Sequence, residues 1–66
     1  MYPRIKDTRI QRNITQTQMA QKLGFAQQIY QRYEQGKTKL SLENAVKIAD
    51  ILGVSLDYLA GRSDEP

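Results

Sequence analysis

The chain contains no cysteine and no histidine. Without them no disulfide can form, and no cysteine- or histidine-based metal site can be built. The same absences remove the usual nucleophile and general base of hydrolytic and redox chemistry, and the carboxylates are not clustered near any substitute. Neither an enzyme nor a cofactor is expected. Long hydrophobic runs are missing too. Nothing approaches the ~20 apolar residues of a membrane span, and the basic start MYPRIKD lacks the apolar segment of a signal peptide. A soluble cytoplasmic protein is the expectation, and the absent thiols are compatible with a reducing compartment. The 66 residues allow one domain with one small core, because a chain this short buries only about 60% of the surface it exposes when unfolded.

What is present is unevenly charged. Between Met1 and Lys39 eight basic residues face only Asp7 and Glu34, a net of +6, whereas Leu40 to Pro66 carries a net of −3. A basic first part beside an acidic second part suggests a face built for a polyanion. The plainer alternative is that solvated helices carry mixed charge by chance.

The apolar spacing is helical throughout, with no alternating strand pattern, so an all-α fold of five short helices is expected. Pro3 suits the first position of a helix running to about Arg12, where its missing N–H costs nothing. Thr15, three residues ahead of Gln18, fits a capping box opening a second helix that presents Met19, Ala20 and Leu23 and stops at Gly24. A third helix is expected from about Gln27 to Gln35, stopped by Gly36. After the polar loop Gly36–Leu40, Ser41 caps a fourth helix. Its Leu42, Ala45, Val46, Ile48, Ala49 and Leu52 make a wide apolar stripe ending at Gly53. Ser55 caps a short fifth helix with Leu56, Tyr58 and Leu59, stopped by Gly61, and the polar tail RSDEP (residues 62–66) is expected to fray.

The second and third helices carry the functional argument. Two helices crossing steeply over a tight turn need a small side chain at the crossing, a turn residue tolerant of positive φ, and large apolar groups beyond. Ala20, Gly24 and Tyr30 meet those needs in order, so residues 16–35 read as a helix-turn-helix. On a helical wheel Tyr30 and Tyr33 face inward, while Gln27, Gln28, Gln31 and Arg32 share the opposite face. Such a helix fits the DNA major groove. A glutamine amide matches the donor and acceptor of adenine, and arginine's paired donors match guanine.

The run TQTQMAQKLGFAQQIYQRYEQGK with the ending SLENAVKIADILGVSLDYLAGR closely resembles the DNA-binding domain of lambdoid phage repressors and Cro proteins, within the wider Xre-type group. The resemblance covers about Arg4 to Arg62. It implies a compact five-helix, repressor-like domain that binds double-stranded DNA as a transcriptional regulator, with Gln27 and Gln28 as base readers and Gln27 set against an adenine. Arg32 stands where near relatives have glutamine, so it reads guanine or moves to a phosphate. Ile29 either touches a thymine methyl or packs at the domain's edge, and Gln31 is either a reader or a solvated amide. Thr15 and Gln16 lie where helix amides and dipole favour a phosphate oxygen; by resemblance Gln16 makes such a contact and also braces Gln27. Gly36, Lys37 and Lys39 would meet the backbone on the other side, the plain reading of each lysine being a solvated charge. Arg9 and Glu34 match positions that form a partly buried ion pair between the first and third helices. Thr8 departs from the leucine that many Xre-type domains carry there, so that either Ile10 compensates or the first helix is slightly loose.

One module reads few base pairs, so the resemblance implies a weak or DNA-induced homodimer on a twofold-symmetric operator, with no membrane partner and no small-molecule effector. The sequence as given reads either as an excised N-terminal domain or as a small stand-alone regulator. A different class of reading is a protein-interaction module, with Ile29 and the Val54–Leu59 end as its contact patch.

Overall fold

In the computed structural model, which describes residues 2–66, the helix starts and stops are set by local chemistry. Helices α1 (Ile5–Gln11), α2 (Gln16–Leu23), α3 (Gln27–Gln35), α4 (Leu42–Leu52) and α5 (Leu56–Leu59) account for all the regular structure among the described residues. Thr15 Oγ1 accepts from the Gln18 amide at 3.0 Å while the Thr15 amide donates to Gln18 Oε1 at 2.9 Å, a complete capping box. Ser41 and Ser55 cap α4 and α5 with the hydroxyl alone, accepting from the amides of Asn44 and Tyr58. Gly24 and Gly36 end α2 and α3 with φ of +78° and +74°, a conformation that costs a residue bearing a Cβ about 1–2 kcal/mol.

Two boundaries differ from the sequence reading. Pro3 lies ahead of α1 and not inside it. The Ile5 amide donates to the Tyr2 carbonyl, so Pro3 and Arg4 are the central residues of a turn, with Arg4 at φ −97° and ψ 2°. That is where proline's fixed φ suits a type I turn. The Arg4 amide, a helix-start donor with no acceptor inside the helix, is satisfied by Leu59 O. The second difference is the tail. Arg4 Nη1 donates to Ser63 O at 2.8 Å, Arg4 Nη2 pairs with Asp64 at 2.7 Å, and the guanidinium lies over the Tyr58 ring, 4.6 Å from its centroid. Ser63 and Asp64 are therefore tied back to α1 where fraying was expected.

The core comprises Ile5, Met19, Ala20, Tyr30, Leu40, Ala45, Ile48, Ala49, Leu52 and Leu59. Helix α4 supplies four of these and forms the floor on which α1, α2 and α5 pack. The expected α4 stripe is too wide. Leu42 and Val46 are 63% and 42% exposed, because the neighbouring helices cover only the side of α4 that carries Ala45, Ile48, Ala49 and Leu52. Thr8 is buried, and Ile10 is 53% exposed and so does not compensate for it. No helix is long and apolar enough to cross a membrane among the described residues.

Candidate nucleic-acid interface

Ala20 is buried at the crossing of α2 and α3, and Gly24, Phe25 and Ala26 form the turn. The Phe25 amide closes that turn by donating to Ala20 O at 2.9 Å. Tyr30 is fully buried beneath α3. Tyr33 is half-buried, its ring 5.8 Å from that of Phe25 and tilted by 51°. With both rings holding the inner side, Gln27, Gln28, Gln31 and Arg32 are exposed on the other. Ile29 is 45% exposed at the margin of that face.

The N-cap of α3 is Ala26, which offers no side chain to the first amides of the helix. These orphan donors leave the positive end of α3 open beside Gln27 and Gln28. At α2 the situation differs. The capping box occupies the Thr15 amide and an acceptor site of its hydroxyl, so the hydroxyl proton is what Thr15 retains for another partner. On the far side, Gly36, Lys37 and Lys39 are exposed in the α3–α4 loop. Arg32, Lys37 and Lys39 form no ion pair among the described residues.

Beneath this surface lies a buried polar cluster. Arg9 Nε donates to Glu34 Oε2 at 2.6 Å and Arg9 Nη2 to Glu34 Oε1 at 3.2 Å, with side chains only 9% and 2% exposed. Arg9 Nη1 reaches the Ile14 carbonyl at 2.8 Å. Gln16 Nε2 donates to Glu34 Oε1 at 3.1 Å. Burial pushes the Glu34 carboxyl up, but the bonds from Arg9, the nearby Tyr30 hydroxyl and the Gln16 bond outweigh it and hold the group below its ordinary value. The hydrogen bond to Glu34 raises Arg9 by more than burial lowers it. Burial, then the Glu34 carboxylate, pushes the Tyr30 hydroxyl well above the usual phenol range. That hydroxyl is buried and makes no hydrogen bond of acceptable geometry, so Glu34 acts on it by proximity.

Besides Gln27, Gln28, Gln31 and Arg32, Gln35 is an exposed residue of α3. The spacing Gln27–Gln31–Gln35, one turn at a time, carried that signal. Thr17, not singled out from sequence, lines a shallow concavity with Thr15, Gln16 and Gln27. The Gln16 amide nitrogen is tied to Glu34. Of the patch expected for a protein-interaction module, Ile29 is exposed, Val54 and Leu56 are half-buried against the core, and Leu59 is fully buried.

Comparison with known proteins agrees with this geometry. A family profile described as helix-turn-helix matches residues 5–59. The chain is 48% identical over 50 residues to the cryptic phage CTXphi transcriptional repressor RstR of Vibrio cholerae serotype O1, covering 76% of this chain and 45% of that protein. It is 42% identical over 62 residues to the uncharacterized HTH-type transcriptional regulator YqaE of Bacillus subtilis, covering 92% of this chain and 53% of that protein. With the SPbeta prophage-derived uncharacterized HTH-type transcriptional regulator YonR of Bacillus subtilis it shares 41% identity over 56 residues, covering 85% and 52%. The chain spans about half the length of these curated relatives. With its profile match running from the start of α1 to the end of α5, the chain belongs to the helix-turn-helix family, of the Xre type.

Proposed function

We propose that this chain is a sequence-specific, double-stranded DNA-binding transcriptional regulator, a repressor by analogy with the phage relative, that places α3 in the major groove. The observation that carries the reading is the exposed amide and guanidinium face of α3 above a buried Tyr30. In this reading Gln27 pairs with an adenine, Gln28 reads beside it, and Arg32 meets guanine O6 and N7. Ile29 and Gln31 border the read bases. Thr15, Gln16, the Gly36 amide, Lys37 and Lys39 hold phosphates on either side and fix the register of the helix. Two copies bind a twofold-symmetric operator with half-site centres about 34 Å apart. No cofactor takes part, and the protein works in the cytoplasm.

The test begins with selection of duplexes from a random pool, followed by anisotropy titrations of the wild type, Gln27→Ala and Arg32→Ala. Each substitution is expected to relax selection at one position of each half-site, lowering discrimination there by about 1–3 kcal/mol. If both variants kept the wild-type preference at every position, base reading by α3 would be wrong.

A further inference from the structure

We propose that Glu34 is a positioning residue for DNA binding that acts through Gln16, fixing which way the Gln16 amide faces. The inference rests on the DNA-binding reading above and adds to it a residue that never meets the DNA. A glutamine amide is nearly symmetric in shape, and rotation about its last bond exchanges its donor and acceptor ends. What sets its polarity is the neighbour. An ionised carboxylate only accepts, so Glu34 Oε1 can receive Nε2–H of Gln16, at 3.1 Å, and repels the amide oxygen. The nitrogen is thereby held inward, leaving its second N–H and Oε1 for the concavity that Gln16 shares with Thr15, Thr17 and Gln27.

The orienting group is itself fixed. Glu34 is gripped by two Arg9 nitrogens, and the third Arg9 nitrogen is anchored on Ile14 O. Ile14 directly precedes the Thr15 cap of α2. The bonds thus close a loop from the α1–α2 connection through α1 and α3 to the first residue of α2. One turn of α2 and the last turn of α3 share a single buried anion. Its charge gives the Gln16 amide one polarity before any phosphate arrives, so the free N–H is already aimed as a donor. Such preorganisation lowers the ordering cost of binding.

The measurement is a double-mutant cycle on affinity for a selected duplex, using Gln16→Met, Glu34→Gln and the double variant, at a temperature where circular dichroism shows each one folded. Gln16→Met is expected to weaken binding about three- to tenfold, the range of one lost hydrogen bond. Glu34→Gln should cost a similar factor, and the double variant no more than the larger single effect. Losses that multiply in the double variant overturn the proposal, because Glu34 would then act independently of Gln16. If Glu34→Gln does not fold, the wild-type side-chain amide spectrum decides. The Gln16 signal, identified by its absence in Gln16→Met, must show one slowly exchanging proton shifted away from the solvated glutamines; two signals averaged like theirs overturn the proposal. Failure to select any duplex would instead remove the DNA-binding reading, and the proposal along with it.

Discussion

Tyr30 fills the space under α3 as phenylalanine would, and its hydroxyl is buried without a hydrogen-bond partner. Leaving such a group unpaired costs about 1–3 kcal/mol. Tyr30→Phe is therefore expected to leave the urea midpoint unchanged or to raise it. A fall equivalent to more than about 1 kcal/mol would show that the hydroxyl bonds to Glu34 in solution. At this scale the sequence was legible wherever one helix decides the outcome. The inward turn of Tyr30 and the outward turn of Gln27, Gln28 and Arg32 follow from the wheel alone. The Arg9–Glu34 contact did not come from spacing at all, since it joins helices far apart in the chain; it was expected only by resemblance. The Gln16–Glu34 bond was invisible for the same reason, as no local pattern says which of several glutamines meets a buried carboxylate.

The helices are short, and isolated helices of this length are marginal in water, so their caps matter to the fold. Thr15→Ala removes the acceptor for the Gln18 amide and is expected to lower stability by about 1 kcal/mol, measured by urea unfolding. For a domain of this size, stable by only about 3–10 kcal/mol, that is a substantial fraction. Full retention of stability would mean that the box contributes nothing beyond what water supplies. Caps are also why the element boundaries were so readable: Thr15, Gly24, Gly36, Ser41, Gly53 and Ser55 each act within a few residues of themselves. Where a distant partner intervenes, the reading drifts. Ser63 and Asp64 are held by Arg4, from the other end of the chain, where fraying was expected. The width of the buried stripe on α4 was set by how far its neighbours reach, which periodicity does not encode.

Across the whole molecule, charge is sorted by region. Of the two acids before Leu40, Glu34 is buried against Arg9, so Asp7 is the one left exposed in the basic part. Affinity for duplex DNA should therefore depend steeply on salt. If two copies neutralise about eight phosphates, log affinity falls with a slope of about −7 against log salt. Titrations at several salt concentrations measure that slope, and a nearly flat line would exclude a polyanion as the ligand of this face.

Arg4 carries a mechanical consequence. By gripping Ser63 and Asp64 while lying over Tyr58, it latches the first helix to the last, as a buckle joins the two ends of a strap. Helix α1 cannot swing outward without releasing that buckle. Because α1 also carries Arg9, the buckle at its start and the tether on Glu34 are borne by one helix of seven residues.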